Sequence, residues 1–486
     1  MFVVLLILAA LFTISSWALS AQSAPFLFIA FIVLEFYLAF SRPKTALKLL
    51  FFILPWFNIL SNTVFRYRAI PAVLLFLSGW IAGYLAGRWF KKEPFVLPDR
   101  SYLFIAFLSV IFLSSAYSFA KYIAFLPDFN ATVATLYLGE TVKLKNIFGW
   151  IMLGAIQWSA GPLFFLTIYD FINRKSEFIS ALKWIAPGFV VSIAIGIYQN
   201  YFNYGFGLPP EFVNAFGRIS AGCFDPNALG YFLLLLVPVL AYLALVYDSP
   251  VKFALWTEVA AGIFMIFLSG NRSVAGSVLA VSALAILFIF FRKDIRKKYL
   301  MPAILSLLLL AGLFFAPLSA TKRIKEMVYN RFAESGTWSE FLKPDIFGER
   351  IPYWELSLKV IKDNIFLGTG VGRYLVVTPD YLRASHPLFN NNENACNYYL
   401  QLLSETGIFM TLVFFLLLVF VLNRIRLSLA PLRNMALQDF LIAASLIFML
   451  LALNLGPHLI NFEVSVIFWT SIALLWTKPG HSKGSL

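Results

Sequence analysis

Apolar segments of about 20 residues, parted by short polar breaks, recur along most of the chain. At the rise of a helix each is long enough to cross a bilayer. Candidate spans fall at about 2–20, 25–40, 45–62, 70–88, 102–122, 147–170, 181–200, 228–247, 253–269, 273–292, 301–318, 406–423, 438–455 and 460–477. The pattern predicts an all-α fold: a polytopic transmembrane bundle of about 14 helices, 12 on the lower count. The first segment, Met1 to Leu19, lacks the basic start of a signal peptide and reads as a span.

One stretch breaks the pattern. From about Leu318 to Glu405 the chain carries charges and turn signals, and a loop of that length without a function of its own is uncommon. Within it, Pro352 suits a first helical turn and Trp354, Leu358 and Ile361 recur at helical spacing. A short helix from about Ile351 to Asp363 follows, beginning beside Arg350. Gly368, Gly370 and Gly372 then interrupt it. The chain divides into N-terminal transmembrane helices (1–200), a central region (201–425) containing the loop 319–405, and C-terminal helices with a tail (426–486).

Two shorter external segments stand out. Residues from about Tyr122 to Lys145, with Pro127, Asp128 and Asn130, suit an amphipathic hairpin on the membrane surface. The second runs from Gly217-Arg218 through Cys223 to Asp225-Pro226-Asn227. There Asp225-Pro226 signals a turn and Asn227 is placed to cap the following helix.

Composition agrees: 60% of residues are hydrophobic and only 13% charged, more apolar surface than a soluble fold can bury. A net charge of +14 raises nucleic acid as a partner, but the surplus sits in clusters beside the spans, the positive-inside pattern. With a cytoplasmic N-terminus, Arg42/Lys44, Arg88/Lys91/Lys92/Arg100, Arg174/Lys175, Arg292 to Lys298 and Arg424/Arg426/Arg433 all fall inside. Arg218, Arg272, His458 and the long loop fall outside, with Arg66 and Arg68 as the minor exception. Both termini are then cytoplasmic. Cys223 and Cys396, the only cysteines, fall outside, where a disulfide is one open alternative. Glu35 and Glu258 fall in the cytoplasmic thirds of spans, with pairing or water at hand. Glu405 reads as a cap or packing residue near a helix start.

Arg272 lies in Ser269-Gly270-Asn271-Arg272-Ser273 with almost no loop between two spans, so it sits at the outer membrane boundary. An ionisable residue there is either functional or snorkelling to the headgroups. Arg350 is either a solvated loop charge paired with Glu349 or a second cation at a helix start. A guanidinium donates two parallel hydrogen bonds to phosphate and stays charged, so two of them at a lipid boundary suit a lipid-linked diphosphate.

Four stretches carry a resemblance: Arg218 through Asp225-Pro226-Asn227; Gly270-Asn271-Arg272-Ser273; Arg350-x-x-x-Trp354 with Phe366-Leu367-Gly368-Thr369-Gly370-Val371-Gly372; and Asn397-Tyr398-Tyr399-Leu400 through Gly407. In these stretches, and in having one large periplasmic loop before three final helices, the chain resembles the O-antigen ligase/polymerase superfamily (WaaL- and Wzy-type proteins) over roughly residues 210 to 425. The resemblance implies an inverting, metal-independent glycosyl transfer at the periplasmic face of a bacterial inner membrane, without a cofactor. The donor would be an oligosaccharide on undecaprenyl diphosphate, held by Arg272 and Arg350 with Arg218. The acceptor would be a second lipid-linked glycan or lipid A-core, and a chain-length regulator is a further possible partner.

One position departs from the family. Ligases place a histidine immediately before the asparagine that is Asn397 here, and this chain has Cys396. A neutral thiol accepts a hydroxyl proton poorly, so Glu393 or His386 would have to act as base; each also has a bland reading, as a solvated acid and as a turn. The missing histidine favours a polymerase over a ligase. Asn394, Asn397, Tyr353 and Tyr399, with Trp338, are the candidate sugar contacts. A flippase or other transporter is the alternative of another class, but intramembrane charges are few and no repeat is evident. A silent scaffold for polysaccharide assembly is a third.

Overall fold

The computed structural model describes residues 27–60, 72–124, 144–172, 175–203, 205–207, 218–223, 225–247, 250–301, 304, 350–382, 394–429, 431 and 434–476. Among them the chain is all helical. Nine helices are long and apolar enough to cross a membrane, and two shorter apolar ones accompany them. The candidate spans at 2–20 and 301–318, the hairpin near 122–145 and the greater part of the loop lie outside the described residues. A span needs every backbone group bonded within itself, which is why an apolar chain of this length resolves into helices.

The first part of the bundle comprises α1 (Leu27–Ser41), α2 (Pro43–Ile53), α3 (Ala72–Phe90), α4 (Tyr102–Ala124), α5 (Leu144–Ile172), α6 (Lys175–Leu182) and α7 (Ile185–Tyr201). The segment expected to span at 45–62 forms only the 11-residue α2 before breaking into turns at Leu54 and Pro55. Gly79, Gly83 and Gly87, spaced four apart along one face of α3, let it lie against α1. A Cβ at Gly83 would stand 2.3 Å from the Phe36 carbonyl oxygen. Small residues at this spacing are what allow close helix approach where lipid supplies no hydrophobic drive.

The second part comprises α8 (Pro226–Val246), α9 (Val251–Leu268), α10 (Arg272–Phe291), α11 (Ile351–Asp363), α12 (Tyr374–Val377), α13 (Tyr398–Ser428), α14 (Leu437–Ala452) and α15 (Phe462–Trp476). Helices α8 and α15 are apolar on every face and buried nearly throughout, as helices at the centre of a bundle must be. One hydrophobic core runs from Ala39 to Trp476 and joins the N-terminal helices to the last one.

Several expectations need correction. Residues 398–405 are helical rather than loop: α13 starts at Tyr398, and Gly407, at φ 69°, divides it. The cap of α8 is Asp225, not Asn227; Pro226 fills the first helical position and the Asp225 carboxylate accepts the Asn227 and Ala228 amides. Helix α11 runs as predicted, but it buries Tyr353, Leu356 and Val360 while Leu358 is exposed. Cys223 and Cys396 are both thiols. Among the described residues Glu35 is fully buried with neither carboxylate oxygen bonded, and one oxygen of Glu258 is likewise buried without a partner.

Charge separates the two ends of the bundle. At one end Lys91 donates to the Phe40 carbonyl, Arg424 approaches Asp99 at 3.7 Å and Arg292 donates to the Met435 carbonyl. The starts of α8, α10, α11 and α13 lie at the other.

Candidate functional site

The site is assembled from the start of α8 outward. Because Asp225 does the capping, the Asn227 side chain is left to accept from Arg218 Nη2 at 2.6 Å. Arg218 Nε donates to the Ser269 carbonyl at the end of α9. Gly270, at φ 64°, makes room for this: a Cβ there would stand 3.0 Å from Arg218 Nε, in a backbone conformation that side chains resist. Asn271 caps α10 by accepting from the Val274 amide and the Ser273 hydroxyl, and its own amide donates to the Asn227 carbonyl. Arg218, Asp225 to Asn227 and the α9–α10 turn are therefore one interlocked unit. Arg272, the first residue of α10, is exposed at its rim.

Opposite this unit stands His458, in the short turn between α14 and α15. Its ring lies 4.4 Å from that of Tyr231, one helical turn into α8. Tyr231 donates to the Ala452 carbonyl at 2.8 Å and meets the Ser273 hydroxyl at 3.3 Å, which fixes the phenol between α8, α10 and α14. The His458 Nδ1 faces the Asn461 amide. Burial pulls the imidazole below its ordinary value; Asp225 pushes it back up, while Arg350 and Arg218 pull it down further. Both guanidiniums and the carboxylate thus act on one imidazole, which is neutral at pH 7.

The sign of that shift yields a prediction. A histidine held neutral stabilises the fold fully above its ordinary value of 6.5, and loses that contribution as pH falls through its lowered folded value. The purified protein should lose thermal stability as the pH is lowered through and below 6.5, and His458→Gln should flatten that part of the profile. Identical profiles for the two proteins would contradict this.

Arg350 precedes α11. Tyr353 and Leu356 form a small buried cluster with Tyr381, Leu382 and Cys396, and the Trp354 indole donates to the Cys396 carbonyl. The Ser357 and Tyr374 hydroxyls meet at 2.6 Å, tying the middle of α11 to the residues beyond the glycine loop. The loop resembles a phosphate cradle in composition but not in bonding. Its amides at Thr369 and Gly370 go to the Ser404 and Glu405 carbonyls, that of Val371 to the Ser114 hydroxyl and that of Gly372 to the Glu405 carboxylate. Glu405 also accepts from the Trp158 indole and the Gln401 amide. The positive φ at Gly368 and Gly407 lets the two backbones meet: a Cβ at Gly407 would stand 2.2 Å from the Phe366 carbonyl oxygen. The glycines dock the loop on α13.

Arg218 and Arg350 both lie within electrostatic reach of the His458 imidazole, and Arg272 adjoins Ser273, whose hydroxyl meets Tyr231. The candidate bases Glu393 and His386 lie outside the described residues. Of the five candidate sugar contacts Trp338 lies outside the described residues, and the other four hold structural positions. Tyr353 departs most from expectation, since its ring is buried in protein and offers no open face for a sugar. Asn397 caps α13 through the Tyr399 and Leu400 amides. Tyr399 donates to the Leu450 carbonyl and stacks on Phe415. The Asn394 side chain accepts from Gln401. Sequence reasoning missed the roles of His458, Asp225 and Glu405. For His458 the signal was present, a histidine in a short polar break between the last two spans.

Residues 257–415 match the family model described as O-Antigen ligase. Over these residues, about a third of its length, the chain is similar to that family. The segment that matches this superfamily takes in Arg272, Arg350, the glycine loop and Glu405. Arg218, Asp225, Tyr231 and His458 lie outside it, so the site straddles its boundary. No curated protein matches the chain.

Proposed function

We propose that the protein is a Wzy-type polymerase: a glycosyltransferase that joins undecaprenyl-diphosphate-linked oligosaccharides at the periplasmic face of the inner membrane. The observation that carries this reading is the bonding of Arg218 to the Asn227 side chain and to the Ser269 carbonyl, at the turn where Arg272 opens α10, at the end of the bundle away from the basic clusters. By the positive-inside rule that end faces the periplasm and both termini face the cytoplasm.

In this reading Arg218, Arg272 and Arg350 grip the donor diphosphate. The bond from the anomeric carbon to the diphosphate oxygen breaks, and its electron pair leaves with undecaprenyl diphosphate. An acceptor hydroxyl attacks from the opposite face, forming the new glycosidic bond with inversion, and gives its proton to Glu393 or His386. Charge on the leaving group peaks in the transition state, so guanidiniums preorganised in a water-poor site stabilise it more than the substrate, and no metal is required.

The family description favours a second reading, a ligase that transfers the glycan to lipid A-core. Purified protein given a single lipid-linked oligosaccharide should make longer lipid-linked products. Transfer only to added lipid A-core would establish the ligase, and no product from either acceptor would overturn both and favour a transporter.

A further inference from the structure

The glycine loop ends in an arginine that the site above does not use. Arg373 is only 8% exposed, yet its Nε and Nη1 are buried and have no acceptor among the described residues. Buried guanidiniums are almost always paired, because desolvating the charge costs more than other contacts return. The nearest compensation comes from the Tyr117 hydroxyl and from Asp380, which is itself exposed. Burial pulls the Arg373 guanidinium down from its ordinary value, so these two do not offset the desolvation.

Its position is firmly held. Every amide from Thr369 to Arg373 has an acceptor, and Val371 is stitched on both sides to α4, its amide to Ser114 and its carbonyl to Ser118. Those serines lie in the half of the span nearer its outer end, so Arg373 sits near the outer bilayer boundary. It is separate from the arginines at His458: Tyr374 touches Ser357, about 10 Å along α11 from Arg350 at the rise of a helix.

We propose that Arg373 anchors a second phosphate site, which holds the diphosphate headgroup of the lipid-linked acceptor while Arg218, Arg272 and Arg350 hold that of the donor. The assignment rests on the polymerase reading, in which both substrates are lipid diphosphates and two such headgroups must be held at once. A rigid, desolvated guanidinium at headgroup depth, with Nε and Nη1 lacking acceptors among the described residues, supplies charge-assisted donors that a phosphate can take up.

The test uses the full chain with farnesyl diphosphate as probe, measuring binding stoichiometry in maltoside micelles and in phosphatidylcholine nanodiscs. Wild type should bind two molecules per chain in both, Arg373→Met one, and Arg350→Ala the other one. Arg373→Met should also unfold at the wild-type temperature or above, because it removes a buried charge whose desolvation Tyr117 and Asp380 do not offset. In the transfer assay it should raise the acceptor concentration for half-maximal rate at least about tenfold, with donor dependence unchanged.

A wild-type stoichiometry of one would overturn the proposal. So would an Arg373→Met protein that is less stable and still binds two, the behaviour of an arginine that merely supports the loop. Displacement of the second molecule by an equal concentration of inorganic phosphate would make this a free-phosphate site. Its loss in nanodiscs alone would make it a site for bulk headgroups; either result overturns the acceptor assignment. Two-site binding without chain extension would sink the polymerase reading and leave the second site standing. Chain extension with unchanged acceptor dependence in Arg373→Met would do the reverse.

Discussion

Arg350→Ala should abolish chain extension, lowering the transfer rate by about 100- to 1000-fold, while the protein still inserts and folds. The magnitude follows from removing one preorganised cation from a leaving group whose charge is greatest as its bond breaks. Folding is spared because Arg350 caps α11 with its backbone alone; its side chain makes no capping bond. Arg350→Lys should recover only part of the rate, since a point charge keeps the attraction and loses the planar fork. A second signature separates charge from shape. Arg350 pulls the His458 imidazole down, so Arg350→Ala should raise the histidine's pKa, followed by NMR of the labelled imidazole. Unaltered ladders of polymer length in Arg350→Ala and Arg272→Ala would remove the enzymatic reading.

Glu405→Leu should cost more in stability than any other single change at the site, on the order of 4 kcal/mol or more. The carboxylate is buried and accepts from Gly372, Trp158 and Gln401. Removing it leaves three donors from three segments without acceptors, each worth about 1–3 kcal/mol when buried and unsatisfied. Glu405→Gln keeps one acceptor oxygen but turns an N–H pair toward other donors, so it should lose less. Hydrogen exchange should locate the damage: amides 369–374 should lose protection in Glu405→Leu well before the core of α8. Uniform loss along the chain, or none, would show that Glu405 does not hold the loop.

Much of this was legible in the chain itself. Helix α11 lies where Pro352 and the apolar spacing put it, because its start and period are local properties. The exposure of Arg272 at a tight turn between two spans was legible for the same reason. The cap of α8 was not: Asp225 and Asn227 are equally good capping residues, and only the arrival of Arg218 shows which one the helix uses. Nor was the purpose of the glycines. Gly368-Thr369-Gly370-Val371-Gly372 reads as a chain break, whereas its amides are spent on α13 and α4, and neither helix is near in sequence.

By itself the sequence determined the solvent this protein lives in, the helices that follow from it and the end at which the charges gather. Those depend on runs of apolar residues and on the cost of unbonded backbone in lipid, and both can be counted along a chain. The tertiary structure alone decided which polar residues meet: that Arg218 joins Asn227 to the α9–α10 turn, that Glu405 holds the loop, and that Arg373 is buried with two nitrogens lacking acceptors among the described residues. Each depends on side chains brought together from distant segments, and the strength of a charge or a hydrogen bond depends on the groups and the dielectric around it after packing.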